Sequence, residues 1–202
     1  MNTIIELIIA FLTGVLGPIV VVLVKAQLDN SKKKEDPITE AVVNANLVND
    51  ELEKIMETHS ADRVWLAQFH NGGHYYPTGK SIQKFSIFFE FVKYSKDSLR
   101  LNFQNIPVNL FSKAFAKILS DDYLVIPDYK NEELPTYGLK YVADESGAKS
   151  SYIFGVRNVQ DKLIAMLAVE YTTRKKPLSQ EDIISLRLEA AKLGGVIMNQ
   201  IK

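Results

Sequence analysis

The spacing of apolar residues changes character several times along the chain. Residues 7–24, LIIAFLTGVLGPIVVVLV, carry no charge, and the run reaches back to Ile4 if Glu6 snorkels to an interface. At 1.5 Å per residue the longer version spans roughly 31 Å, matching a hydrocarbon core of about 30 Å. Residues 1–25 are therefore expected to form a single transmembrane helix. A cleaved leader fits less well, since no positive segment precedes the run and Lys25-Ala26-Gln27 makes a poor cleavage site. Inside the run Ala10, Gly14 and Pro18 recur every fourth residue, a stripe that can bring two membrane helices together, although small residues are common in such helices anyway.

Residues 26–37 form a charged linker with a terminal proline, and after it the spacing turns helical. Ile38, Ala41, Ala45, Val48, Leu52, Ile55 and His59 alternate at three and four, which predicts an amphipathic helix over 38–59. Period two follows. Residues 63–70, RVWLAQFH, read as a strand stopped by the turn signal Asn71-Gly72-Gly73. In 82–94 the alternation puts Phe85, Ile87, Phe89 and Phe91 on one face and Lys84, Ser86, Phe88 and Glu90 on the other. A short strand near 99–103 leads through Ile106-Pro107 into a helix with Val108, Phe111, Phe115, Ile118 and Leu119 as its stripe. YLVIP at 123–127 is a strand, 137–145 a short helix ending near Gly147, and 151–157 with 163–172 a hairpin. Ser179 and Asp182 resemble a capping box opening a final helix to 201, striped by Ile183, Leu186, Ala190, Leu193 and Ile197. Helices at both ends, antiparallel strands between and no regular βαβ alternation make this one α+β domain over 38–202.

Charge and composition remove several classes of function. Lys plus Arg and Asp plus Glu are both 24, so no net field recruits nucleic acid. There is no cysteine, hence no disulfide, thiolate metal site, Cys nucleophile or thioether-linked cofactor. Lys25, Lys32, Lys33 and Lys34 all follow the apolar run, so the positive-inside rule places the N-terminus outside and the body in the cytoplasm, with lysines able to touch anionic lipid. His70 and His74 have a metal-ligand spacing but no third ligand beside them, and no metal is expected. No nucleophile elbow, P-loop or dinucleotide fingerprint occurs, and an enzyme is not expected. On the first strand Gln68 and His70 share a face, with Asn71 at its edge.

The order and spacing of four segments, LEKIMETHSADRVWLAQFHNGG, YLVIPD, SSYIFGVRNVQDKLIAMLAVEY and PLSQEDIISLRLEAAKLGGVI, resemble a GAF domain, the small-molecule-binding relative of PAS domains. Ile164-Ala165 departs from the Ile-Gly common there. FHNGGHYYPTGKSIQKFSIFFEFV is similar to short membrane-anchored GAF-like proteins of phages and bacteria. The resemblance implies a central antiparallel sheet, the two terminal helices on one face and a ligand pocket under loops and a short helix on the other. If the Phe85 face packs on those helices, Lys84, Ser86 and Glu90 point to the pocket, unless that face is simply solvated. Asp128 matches a position where the family often has Asp. His70, Asn71, Ser151, Tyr152 and Glu170 complete the candidate ligand residues. Tyr141, Asp144 and Glu145 echo the cyclic-nucleotide constellation poorly, so that ligand stays open and no cofactor is named. The helix stripes can pair two subunits through Ala45, Leu52, Ile55, Leu186, Ala190, Leu193 and Ile197, extended by Ala10 and Gly14, or pack only on their own sheet. The expected function is a membrane-anchored sensory module that binds a small molecule or effector protein and signals through dimer packing. The alternative is a phage-type interaction or holin-like lysis protein whose domain is a scaffold.

Overall fold

The computed structural model describes residues 6, 12–31, 36–94 and 98–200. The chain divides into two compact units, Met1–Glu40 and Ala41–Lys202. In the first, a π-helical turn, Leu12–Leu16, precedes helix α1, Gly17–Ser31. Pro18 has no N–H to return a bond into that turn, which suits the wider winding. Among the described residues no helix is long and apolar enough to cross a membrane. Residues 1–5 and 7–11 of the expected span, Ala10 among them, lie outside the described residues. Helix α2, Pro37–His59, starts on an Asp36 cap whose Oδ2 accepts the Thr39 N–H at 3.1 Å.

The second unit is a six-stranded antiparallel sheet in the order β3-β2-β1-β6-β5-β4. Its strands are β1, Arg63–His74; β2, Ser81–Val92; β3, Ile106–Pro107; β4, Tyr123–Ile126; β5, Ser150–Arg157; and β6, Leu163–Tyr171. Helices α3, Ser112–Asp121, and α4, Lys140–Ser146, fall between strands, and α5, Gln180–Gln200, closes the unit. The α5 start carries the expected capping box: the Ser179 amide donates to Asp182 Oδ2 at 2.9 Å, and the Asp182 amide to Ser179 Oγ at 3.1 Å.

Each face of the sheet has its own core. On one, Val48, Leu52 and Ile55 of α2 and Leu186, Leu193 and Ile197 of α5 meet Val64, Leu66, Phe154 and Leu167. On the other, Trp65, Ala67, Phe85, Ile87, Ile153 and Met166 meet Ala114, Phe115 and Ile118 of α3 and Ala143 of α4. The residues expected to pair two subunits, Leu52, Ile55, Leu186, Ala190, Leu193 and Ile197, are thus consumed inside the chain's own core, and only Ala45 of that set is half-buried. A sheet face absorbs a helical stripe as readily as a partner helix does, so the periodicity alone does not tell them apart.

Two strand expectations are corrected. β1 runs past Asn71-Gly72-Gly73 to His74 through a bulge with Gly73 at φ 94°, and the chain reverses later, where the Tyr75 amide donates to the Lys80 carbonyl at 2.8 Å. Residues 99–103 are turn rather than strand, because the Leu99 and Arg100 amides are taken by the Glu90 carboxylate at 2.7 and 3.1 Å; β3 forms instead at Ile106–Pro107.

Candidate functional site

The alternation in β2 is broken once, and the break decides which residues can reach a pocket. Leu66 pairs with Phe89, but Ala67 pairs with Ile87, leaving Phe88 as an extra residue. One inserted residue exchanges the two faces of a strand. Phe85 and Ile87 therefore enter the core under α3, whereas Phe89 and Phe91 pack against the terminal-helix core. The expectation that all four share a face is wrong for this reason, and so is the placement of Lys84 and Ser86 toward the pocket. Ser86 Oγ sits 2.9 Å from His70 Nε2 and accepts the Asn105 amide at 2.8 Å, tying the edge of the sheet. The Lys84 stem lies over Gly72, where a Cβ would come within 2.2 Å of it. Asn71 accepts from Gln83 at 3.2 Å on the surface. Glu90 does lie on the pocket face, but its carboxylate holds the 98–100 turn, accepting from Ser98 Oγ at 2.6 Å as well as the two amides.

Asp128 stabilises a loop: it accepts the Lys130 amide at 3.0 Å and pairs with Lys175 at 2.5 Å, contacts that hold its carboxyl below the ordinary value, the lysine contributing most. Tyr152 points to the terminal-helix face, where its hydroxyl donates to the Lys176 carbonyl at 2.7 Å and accepts the Leu178 amide at 3.1 Å. Of the nine candidates, Glu170 and Ser151 come together at a cavity.

That cavity, about 50 Å³, lies between the sheet, α3 and α4. Phe85, Phe111, Phe115 and Trp65 give it aromatic walls, and Leu139, Val142, Ala143 and Ser146 form its roof. Glu170 in its lining belongs to a row across three strands. Glu170 on β6 stands opposite Arg63 on β1 and Ser151 on β5. Arg63 Nε donates to Glu170 Oε2 at 2.7 Å, Trp65 Nε1 to the same oxygen at 3.0 Å, and Ser151 Oγ to Oε1 at 2.7 Å. Arg63 is wholly buried and Glu170 is 5% exposed. The guanidinium also reaches Ser146 at the end of α4, its Oγ at 3.2 Å and its carbonyl at 3.4 Å. Tyr129 lines the cavity too, and burial, chiefly, pushes its phenol up from the ordinary value.

The sequence reading missed Arg63, Trp65, Tyr129 and Ser146. A signal existed for the first: one arginine and one glutamate each interrupt an otherwise apolar strand, in RVWLA and MLAVEY. Charges rarely go inside unless paired, so two such interruptions are a pair in waiting. Among the described residues no group of His, Asp and Glu could hold a metal ion. A wider open hollow of about 570 Å³ lies beside α5, lined by Phe154, Val159, Ile184, Leu188 and Gly195 together with the paired charges Asp122, Arg157 and Arg187.

No family model and no curated protein matches the sequence. Solved structures do. The phycocyanobilin-bound GAF domain of a cyanobacterial phytochrome superposes with a TM-score of 0.61 at 15% identity, over 90% of this chain and 93% of that one. A far-red cyanobacteriochrome photoreceptor gives 0.60 at 15% identity, over 86% and 98%. The blue-light-absorbing PixJ GAF domain of Thermosynechococcus elongatus gives 0.60 at 13%, over 80% and 88%. The chain has the fold of a GAF domain.

Proposed function

We propose that this chain is a ligand-responsive regulatory module without catalysis of its own, in which a small molecule enters the cavity beneath α4 and the displacement of that helix is the signal. The observation that carries this reading is the buried Arg63–Glu170 pair beside an apolar, aromatic-walled cavity under a seven-residue helix. A buried ion pair is weak support for stability, since apolar residues of similar volume often do as well. A few convergent polar groups in an apolar hollow are what fix a ligand's orientation. The solved neighbours include a domain that holds phycocyanobilin. Here the cavity is about 50 Å³, against roughly 300–1,000 Å³ for ordinary small-molecule sites, and the sequence has no cysteine for a thioether. The ligand is therefore smaller than a tetrapyrrole and held without a thioether bond.

The module is further proposed to be membrane-anchored through its N-terminal run, with the body in the cytoplasm. Val20, Val21, Val22, Leu23 and Val24 are each at least half exposed on α1, and a helix that is apolar on every side needs lipid or protein around it. Homodimerisation is proposed through a different stripe from the expected one: Ile184, Leu188, Ala191 and Gly195 are exposed on α5 at spacings of four, three and four. A scaffold reading, such as a phage-type interaction or lysis-related protein, is favoured by one observation, the smallness of the cavity.

The deciding experiment is purification of the full chain followed by mass spectrometry for co-purified small molecules and thermal-shift screening of metabolites. Stabilisation by some class of ligand is expected; a flat response to every one would leave the scaffold. A reporter fused after Lys202 that is active only on the outer side of the membrane would overturn the cytoplasmic placement.

A further inference from the structure

Among the described residues Glu170 is the only charged one lining the cavity; the other described lining groups are apolar except Tyr129, Ser146 and the Trp65 indole N–H. From this we infer that the cavity selects an uncharged, single-ring aromatic molecule carrying one N–H or O–H donor, which it presents to Glu170. The inference rests on the pocket reading above and names the ligand class for that site.

Charge decides the first half. A carboxylate or phosphate in this cavity would lose its water and face the Glu170 carboxylate with no cation among the described lining residues to receive it. An ammonium gains little, because Arg63 at 2.7 Å already balances that carboxylate. Geometry decides the second. Glu170 Oε2 accepts from both Arg63 and Trp65, and Oε1 only from Ser151. An ionised carboxylate offers about four acceptor positions, so one remains on Oε1 for a ligand donor. The aromatic walls favour a ring that can meet them edge to face. The present volume of about 50 Å³ admits a little water but no ring, given that an apolar cavity of about 150 Å³ is what accommodates benzene. Entry therefore moves α4 outward, against the Arg63–Ser146 contacts that fasten its end to the sheet.

The chain supplies its own probe, since Trp65 is its single tryptophan and stands in the cavity wall. The test titrates the full chain with benzyl alcohol, benzylammonium and benzoate, which differ in charge and share a ring, and reads Trp65 emission at the red edge of indole absorption. Benzyl alcohol is expected to give a saturable change, with both ions weaker by about tenfold or more because each must be desolvated. Ala143→Leu, which fills the roof side of the cavity, is expected to abolish the change while the chain keeps its thermal unfolding transition. Ser146→Ala is expected to tighten benzyl alcohol several-fold by loosening the roof. Benzoate or benzylammonium binding as tightly as the alcohol overturns the charge selection alone, leaving a pocket of other preference. Silence toward all three in a chain with an intact unfolding transition overturns this inference, while the pocket reading falls only if the metabolite screen is flat as well.

Discussion

The two faces of one sheet are finished in opposite ways. On the terminal-helix face, two long helices lay aliphatic stripes onto Val64, Leu66 and Leu167, and Leu52, Leu186 and Leu193 have no exposure at all. On the other, a ten-residue helix, a seven-residue helix and a turn-rich stretch cover a mixed set of aliphatic and aromatic residues and leave a cavity over a buried ion pair. Regular helices can slide until their ridges fill every groove, whereas short segments fixed by turns cannot. The first face is built to hold the unit together; the second keeps a place where packing is incomplete and a polar group is committed. Substitutions should therefore register differently on the two faces.

The largest effect belongs to the ion pair. Arg63→Met leaves Glu170 buried without its cation and is expected to cost about 3–5 kcal/mol in denaturant unfolding, while Arg63→Met combined with Glu170→Leu recovers most of it. A double variant as unstable as the single one would mean the pair is a stabilising element and would erase the contrast between faces. Next comes the aliphatic side: Leu193→Ala is expected to lose about 2–5 kcal/mol, against about 1 kcal/mol for Leu139→Ala at the half-buried roof of the cavity. Adjacent glycines of α5 should then differ in sign. A Cβ on Gly194 would approach the Arg157 carbonyl within 2.3 Å, whereas one on Gly195 meets nothing within 4 Å. Gly194→Ala is expected to destabilise by about 1–3 kcal/mol, and Gly195→Ala to stabilise by about 0.5–1 kcal/mol.

The smallest effect is a pH dependence at the ends of the helices. His59 closes α2, is 4% exposed and lies 3.4 Å from Asp182. Burial holds its imidazole below the ordinary 6.5, outweighing the Asp182 carboxylate, which pulls upward; Lys176 acts with burial and Glu189 against it. The unfolded chain then binds this proton more readily than the folded one. Stability is expected to be complete above 6.5 and to fall as the pH drops below it, a slope that thermal melts should show and that His59→Leu should flatten.

Much of the fold was legible because it rests on local spacing. The α2 and α5 stripes, the capping box at Ser179, the β5–β6 hairpin and the short helix before Gly147 all follow from periods of 3.6 and 2 with their turn residues. What was not legible depends on pairing between distant strands. Phe88 looks like any member of an alternating strand until β1 is set beside it, and the residues expected at the pocket were assigned to faces by unbroken alternation. The candidate site suffered most, since Lys84 and Ser86 fell to the opposite face while Arg63, 107 positions from its partner, was passed over. The helix stripes show a different limit: the period leaves two recipients open, a partner helix and the chain's own sheet, and within the chain the sheet takes them.

The extra residue in β2 also divides that strand into two reading frames. Residues 81–87 answer to the layer under α3, and residues 89–92 to the layer under the terminal helices, with Phe88 as the hinge in the frame. A second irregularity, between Asn71 and His74 of β1, lies closer to the turn at 75–80. Deleting Phe88 itself would force one half of the strand to present lysine and serine where the aromatic wall now stands. A single position thus acts as the phase marker that decides which side chains of the strand meet each layer.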